Sequence, residues 1–168
     1  SRCAYCDFYS TTLLAHREAY IEAVGRELKL RRSELKDEPI ETIYLGGGTP
    51  SALEVEDMHR LFDHIDCPAT ATEITLEANP DDLTDVYVQA LRDLPINRIS
   101  IGIQSFHDRT LKLVGRRHTA EQAIEAVRRC QRSGLTNISI DLIYGMPGES
   151  LNDWDYSLQQ AIALEVPH

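Results

Sequence analysis

Two cysteines separated by two residues offer the most reactive chemistry in this sequence. The segment Cys3-Ala4-Tyr5-Cys6 could ligate zinc, act as a redox pair or hold an iron–sulfur cluster. A zinc site would need a second pair at similar spacing, and Cys67 and Cys130 do not form one. A thioredoxin-type motif would open a helix directly after a strand, whereas polar and aromatic residues follow here. We expect Cys130, which lies in a helical pattern, to fill the core.

A glycine-rich loop, Gly46-Gly47-Gly48-Thr49-Pro50, follows a short run of β-branched and aromatic residues. Three glycines leave bare backbone that a ligand can approach closely. The Lys-Ser/Thr of a nucleotide-binding P-loop is absent, and the chain contains no Gly-x-Gly-x-x-Gly. The loop by itself fits a tight strand-to-helix turn and a ligand contact equally well.

Polar and apolar side chains alternate along three predicted strands. In the run 99–104 the isoleucines share one face, and Ser100, Gly102 and Gln104 share the other. The same alternation places Glu77 and Asp141 on the polar face. Parallel sheets covered on both faces are nearly continuously apolar, so we expect one face to pack against helices and the other to line a wet, ligand-binding interior. The alternative is an open antiparallel sheet with one solvated face.

Strand patterns and helix patterns alternate along the chain, without hairpin signals. The predicted strands cover 42–45, 73–78, 98–105 and 137–144. The predicted helices cover 13–36, 54–65 with Ser51 as a possible cap, 84–93, 107–114, 119–133 and 150–164. This order predicts an α/β fold with a parallel sheet and helical crossovers, whose functional residues lie at the carboxyl ends of the strands. We interpret residues 1–168 as a single domain, a partial parallel (β/α) barrel that lacks flanking strands at both ends.

The composition excludes several classes of protein. The 168 residues are 42% hydrophobic and 26% charged, as in soluble globular domains. With 17 basic and 27 acidic residues the net charge is −10, which repels a phosphate backbone and disfavours nucleic acid as a partner. No apolar run approaches the roughly 20 residues of a membrane span, and no signal segment opens the chain. We therefore expect a cytoplasmic protein with reduced cysteines.

Six motifs occur in order along nearly the whole chain: Cys3-x-x-Cys6-Asp7-Phe8, Gly46–Ser51, Glu77–Pro80, Arg98–Phe106, Gly115–His118 and Asp141–Gly148. Together they resemble the radical S-adenosylmethionine (SAM) proteins of the oxygen-independent coproporphyrinogen III oxidase group. Within that group the chain is most similar to the HemW-type heme chaperones. The true oxidases carry a further cysteine two residues after the last cluster ligand, and here that position is Phe8.

This resemblance implies two cofactors. A 4Fe–4S cluster is held by Cys-x-x-x-Cys-x-x-Cys, of which Cys3 and Cys6 match the second and third ligands; the first would lie two positions before Ser1. SAM binds the open iron and is cleaved reductively to an adenosyl radical. The residues that match SAM-binding positions of the family are Tyr5 near the adenine, Gly47, Gly48 and Thr49 at the methionine amino group, and Glu77, Gln104, Arg116 and Asp141.

The resemblance also implies a function. A HemW-like chaperone binds heme as cargo and transfers it to apoproteins. The alternative is the oxidase reaction, in which the propionates of coproporphyrinogen III are oxidatively decarboxylated. The implied partners are heme or a porphyrin, a reductant such as flavodoxin or ferredoxin, and a heme-receiving apoprotein, through which alone the protein would contact a membrane.

Overall fold

The computed structural model describes residues 3–7, 14–36, 38–65 and 71–168. The strands are β1 (Thr42–Leu45), β2 (Glu73–Ala78), β3 (Arg98–Gln104) and β4 (Ile138–Leu142). The α-helices are α1 (Arg17–Leu30), α2 (Val55–Ile65), α3 (Asp85–Ala90), α4 (Asp108–Leu113), α5 (Ala120–Arg132) and α6 (Leu151–Ala163). Short 3-10 turns occupy Leu14–His16, Arg32–Leu35, Pro50–Ala52, Pro80–Asp82 and Leu91–Asp93.

The four strands form one parallel sheet in the order β1-β2-β3-β4. Leu76 on β2 lies between Leu45 on β1 and Ile99 on β3, and Ile99 in turn lies opposite Ile138 on β4. Helices separate successive strands along the chain, as a parallel sheet requires. The expected α/β class, with a parallel sheet arranged as part of a (β/α) barrel, is confirmed.

The hydrophobic core lies between one face of the sheet and the helices. Strand residues from β2, β3 and β4 join buried residues of α2, α3 and α5 in a single cluster: Ile74, Leu76, Ile99, Ile101, Ile103, Ile138, Met58, Phe62, Val88, Ala126, Val127 and Cys130. The alternation of the strands thus buries their apolar side chains on the helical side. Cys130 is completely buried, as expected, and the loss of solvent raises its pKa to about 11.

Helix α1 is shorter than the pattern over 13–36 predicts. It ends at Leu30. Leu35, the last residue of the heptad pattern, is exposed and lies in a separate 3-10 turn, so the pattern does not correspond to one continuous helix. The helix packs against α2, where Gly25 lies directly against the ring of His64. Residue 13 lies outside the described part of the chain.

Ser51 does not cap a helix, contrary to the sequence interpretation. It lies in the 3-10 turn before α2, is only 4% exposed, and its hydroxyl donates to Oδ2 of Asp82 at 2.7 Å. The same hydroxyl oxygen accepts the backbone N–H of Asn79 at 3.1 Å. Ser51 therefore ties the glycine loop to the turn that follows β2.

Candidate functional site

The polar residues expected at the strand ends lie at one edge of the sheet. Glu77 is near the end of β2, Gln104 ends β3, and Asp141 lies near the end of β4. The glycine loop follows β1 at the same edge, because all four strands run in the same direction. The edge is open: the three glycines of the loop and Asp141 are solvent exposed. A cleft of about 660 Å³ lies elsewhere, between residues 80–85 and α5.

The carboxylate of Glu77 is held on both oxygens. Its Oε1 accepts a hydrogen bond from the hydroxyl of Tyr44 at 2.8 Å, and its Oε2 accepts one from the backbone N–H of Gly47 at 3.1 Å. A Cβ at Gly46 would lie 2.7 Å from the Tyr44 ring and 3.0 Å from the Glu77 carboxyl carbon. Glycine is therefore required at position 46 so that the ring and the carboxylate can meet beneath the loop.

The loop presents bare backbone beyond that contact. Gly47 has a φ of +106°, a conformation that favours glycine. At both Gly47 and Gly48 no described atom lies within 4 Å of the position that a Cβ would occupy. The loop thus leaves free space next to the negative charge of Glu77, into which a cationic group of a ligand can fit.

The polar face of the sheet is less wet than expected, because its lower part is packed. Thr75, Ser100 and Ser139 are 0%, 5% and 6% exposed. The Ser139 hydroxyl donates to Oγ of Ser100 at 3.0 Å, and Ser100 donates to Oδ2 of Asp141 at 3.2 Å. Small hydroxyl side chains satisfy one another there. The open region is confined to the carboxyl ends of the strands, above this layer.

Asp141 on β4 accepts the last hydrogen bond of this chain, which runs from Ser139 through Ser100. Desolvation beside the sheet raises the pKa of its carboxyl, and the negative charge of Glu77 raises it further. The hydrogen bond from Ser100 and the charge of Arg98 oppose that shift. Two carboxylates at one edge of the sheet repel each other, so a cation or a hydroxyl group of a ligand between them is favourable.

The Gln104 side chain reaches the site through an unusual backbone. Its φ is +73°, which is uncommon for a residue other than glycine. The side-chain amide folds back over Gly102, where a Cβ would lie 2.7 Å from Nε2 of Gln104 and 3.5 Å from Nη2 of Arg116. Gly102 therefore leaves the space in which the amide and the guanidinium lie side by side.

Arg116 connects three segments of the site. Its Nη2 donates to Oδ1 of Asn79 at 2.9 Å and to the backbone carbonyl of Gly102. Its Nη1 donates to the hydroxyl of Tyr5 at 3.4 Å and to Sγ of Cys3 at 3.7 Å. Within the described ranges no carboxylate pairs with it, and its Nε is buried without an acceptor. An anionic group of a ligand would balance the charge of the guanidinium.

The cysteine loop is fixed to the end of α4. The backbone N–H of Ala4 donates to the carbonyl of Val114 at 2.9 Å, and that of Cys6 donates to the carbonyl of Cys3 at 3.1 Å. Neither cysteine forms a disulfide with another described residue. Desolvation, partly offset by Arg116, raises the pKa of Tyr5 between them.

The donor set fits the implied cofactors in part. Two thiolates on one turn can ligate two irons of a cluster, and among the described residues no group of three or more His, Cys, Asp or Glu could hold a metal ion. A complete cluster would need a ligand from elsewhere. For a ligand with an ammonium and a carboxylate, such as SAM, the edge offers a carboxylate beside bare backbone and an unpaired guanidinium.

Three residues were given no role by the sequence: Tyr44 and Asn79, which contact proposed site residues, and His118, which contacts the backbone of Ile103 next to Gln104. Tyr44 alternates with Ile43 and Leu45 on β1, so the period-two pattern could have placed it on the polar face. The alternation does place Asn79 on the polar face, two residues after Glu77, but gave no sign of its hydrogen bond with Arg116. His118 gave no such signal, because its contact depends on how the turn after α4 packs. Phe8 and Cys67 lie outside the described residues.

The chain is similar in sequence to proteins of one family. The family model described as "Radical SAM superfamily" matches residues 1–161. The chain is 37% identical over 171 residues to the heme chaperone HemW of Lactococcus lactis, covering 99% of this chain and 44% of that protein. It is 36% identical over 173 residues to HemW of Escherichia coli, covering 99% and 46%.

A solved structure extends the likeness to the fold. Coproporphyrinogen III oxidase (HemN) from Escherichia coli, described as a radical SAM enzyme, matches with a TM-score of 0.88 and 26% identity, covering 99% of this chain and 39% of that one. The chain thus spans less than half of each of these relatives. No helix in the described ranges is long and apolar enough to cross a bilayer. Membership of this superfamily implies a 4Fe–4S cluster and SAM as cofactors. Because the family model matches almost the whole sequence, the chain belongs to the radical SAM superfamily.

Proposed function

We propose that this chain is the SAM- and 4Fe–4S-binding core of a HemW-like heme chaperone, with residues 1–168 forming one domain. The observation that carries the proposal is the convergence of Glu77, Gln104, Arg116 and the cysteine loop at one edge of a parallel sheet. Sites of α/β proteins are found at this edge. The identity of 37% to a protein named heme chaperone HemW supports the choice of function.

In the proposed site, groups of opposite charge bind the two ends of the SAM methionine. Glu77 attracts the ammonium group, next to the bare backbone of Gly47 and Gly48 and the hydroxyl of Thr49. Arg116 pairs with the carboxylate, since its charge has no carboxylate partner among the described residues.

The nucleoside end of SAM is assigned to the remaining residues. Gln104 and Asp141 can hold ribose hydroxyls, because an amide and a carboxylate both accept hydrogen bonds from them. Tyr5 lies between the two cysteines, where its ring can contact the adenine.

The cysteine loop is proposed to hold the cluster. Cys3 and Cys6 supply two thiolates, and the third comes from a cysteine outside these 168 residues. The cluster, when bound, supplies the electron that cleaves the SAM sulfonium reductively. The guanidinium of Arg116 donates to Sγ of Cys3 at 3.7 Å and so holds this side chain beside the proposed SAM site.

The heme chaperone is favoured over the coproporphyrinogen III oxidase by the residue at position 8. The oxidases of the group carry a cysteine there, and this chain has Phe8. The likeness to the oxidase structure, with a TM-score of 0.88, supports the shared core and keeps the oxidase as the second candidate.

The proposed partners are a heme or porphyrin, a reductant such as flavodoxin or ferredoxin, and an apoprotein that receives heme. The net charge of −10 argues against nucleic acid. We place the protein in the cytoplasm, with membrane contact only through its recipient.

The test uses the full-length protein with its cluster reconstituted under anaerobic conditions. It is incubated with dithionite, SAM and coproporphyrinogen III, and separately titrated with heme while the Soret absorption is recorded. Stable heme binding without formation of protoporphyrinogen supports the chaperone. Protoporphyrinogen formation would overturn it in favour of the oxidase, and a protein that binds neither heme nor SAM would contradict both.

A matched pair of variants controls for the site. Glu77→Gln removes the proposed partner of the SAM ammonium without changing side-chain size, whereas Glu38→Gln makes the same change on an exposed segment far from the sheet edge. We expect only the first to weaken SAM binding, by about tenfold or more, as for the loss of a charge-assisted hydrogen bond.

A further inference from the structure

Strand β3 ends in a bulge. Its pairing with β4 passes from Gly102 opposite Asp141 directly to Gln104 opposite Leu142, so Ile103 is an extra residue. Gln104 then adopts its positive φ of 73°. A bulge of this kind redirects a side chain, and a left-handed glutamine costs free energy that neighbouring contacts must offset.

The backbone carbonyl of Ile103, the extra residue, accepts a hydrogen bond from a side chain outside the sheet. It lies 3.1 Å from Nε2 of His118, a side chain that is only 3% exposed. Because a carbonyl oxygen can only accept, Nε2 carries the hydrogen and donates it. The other ring nitrogen, Nδ1, is buried without a partner among the described residues. This single hydrogen bond therefore fixes both the tautomer and the orientation of the ring.

The neighbouring carbonyl is held from the same turn. Arg116, two residues before His118, donates to the carbonyl of Gly102. Two side chains of one turn thus bind two successive carbonyls at the bulge, immediately before Gln104. After the bulge the chain returns to regular pairing, since the N–H of Ile143 donates to the carbonyl of Gln104 at 2.9 Å.

We propose that His118 is a positioning residue for the SAM site: by donating to the Ile103 carbonyl it holds the bulge that turns the Gln104 side chain toward the ligand. The inference rests on the proposed function, in which Gln104 contacts SAM. His118 itself is buried, so its proposed role is indirect and it is not proposed to touch SAM.

The surroundings of the ring agree with a neutral donor. Burial lowers the pKa of His118, and the nearby Arg116 and Arg117 lower it further, while the bond to Ile103 and the charge of Asp81 oppose them. A neutral ring with one N–H suits a site that offers a single acceptor.

The experiment measures SAM binding to the full-length protein by equilibrium dialysis. Three single variants are compared with the wild type, each at a temperature where thermal unfolding shows it to be folded. His118→Phe keeps the ring volume and removes the donor. His118→Gln places an N–H where Nε2 stands. Gln104→Ala removes the side chain that the bulge is proposed to turn toward SAM. A double variant combines it with His118→Phe.

We expect His118→Phe to bind SAM about tenfold more weakly and His118→Gln to stay within about twofold of the wild type, as for one hydrogen bond lost and restored. When Gln104→Ala is already present, adding His118→Phe should change SAM affinity by less than about twofold. The histidine is proposed to act only by positioning the Gln104 side chain, which is absent in that variant. A crystal structure of His118→Phe should show Gln104 outside the region of positive φ.

The outcomes separate this inference from the proposed function. If the wild type does not bind SAM, or if Gln104→Ala binds it as tightly, the role of Gln104 is wrong and the inference fails with it. If Gln104→Ala weakens binding but the effect of His118→Phe is absent or fully additive, only the positioning role is overturned. Should His118→Phe fail to fold, His118→Asn replaces it: its amide is too short to reach Ile103, so wild-type affinity there would also overturn the role.

Discussion

The hydroxyl of Tyr44 donates a hydrogen bond to the carboxylate of Glu77 across two adjacent strands, at 2.8 Å. Desolvation and that carboxylate raise the pKa of Tyr44, so the hydroxyl keeps its proton and acts as a donor throughout the neutral range. The two side chains lie on the same face of the sheet, and the absence of a side chain at Gly46 lets them meet.

Tyr44→Phe removes the donor and leaves the ring. We expect SAM affinity to fall roughly fivefold, because Glu77 loses one of its two hydrogen bonds and is no longer fixed toward the loop. The free energy of unfolding should change by less than about 0.5 kcal/mol, since the side chain is 56% exposed. Dialysis and urea unfolding give the two quantities. Tyr20→Phe, at a position 66% exposed on α1, is the control that should alter neither.

Gly48→Ala tests whether the glycine loop contacts a ligand or serves only as a turn. The added methyl group meets no described atom, and the φ of Gly48 lies outside the left-handed region, so the free energy of unfolding should stay within about 0.5 kcal/mol of the wild type. A ligand seated on the loop would clash with it, and we expect at least a tenfold loss of SAM affinity. Unchanged affinity would mean that the loop serves only as a turn.

Gly25→Ala tests the packing of α1 against α2. A Cβ there would lie 2.5 Å from Cγ of the His64 ring, so either the ring or the packing of the two helices must shift. We expect a loss of about 1–3 kcal/mol in the free energy of unfolding, as for overpacking, despite the better helix propensity of alanine. Lys29→Ala, on an exposed position of the same helix, should change stability by less than about 0.5 kcal/mol.

The buried His118 predicts a dependence of stability on pH. Burial lowers its pKa in the folded protein, so the unfolded chain binds the proton more readily. Stability contributed by this group is therefore complete above the unfolded pKa of about 6.5 and is lost as the pH falls below it.

Urea unfolding between about pH 7.5 and 5.5 should show this loss, and His118→Gln should reduce the slope. The carboxyl of Asp141, whose pKa is raised mainly by desolvation, acts in the opposite direction, and the comparison with His118→Gln isolates the contribution of the histidine. An identical slope in the wild type and the variant would refute the assignment.

Much of the fold could be predicted from the sequence, because its signals are local. Alternation along 98–104 predicted both the strand and the face on which Ser100 lies, and the order of strands and helices predicted the parallel sheet; the bulge before Gln104 left no such signal. The ends of elements were less predictable. The heptad pattern over 13–36 did not reveal the end of α1 at Leu30, since hydrophobic spacing continues through a change of helix type.

The burial of the residues below the site and their side-chain contacts could not be predicted from local sequence patterns. Ser100 and Ser139 have the polarity of a wet surface, yet they are buried because they satisfy each other. The hydrogen bond of Ser51 to Asp82 joins residues on two different turns, and local spacing at Ser51 indicated only a helix cap. Such contacts depend on packing between distant segments, to which periodicity is insensitive.

The attachment of the cysteine loop orders the assembly of the protein in time. Ala4 is held by Val114 and Cys3 by Arg116, both of which follow the third strand. A nascent chain that has not yet folded through that strand lacks both of these contacts to the cysteine loop. Iron and sulfide are therefore best delivered after the core has formed, and a maturation factor would meet a folded acceptor.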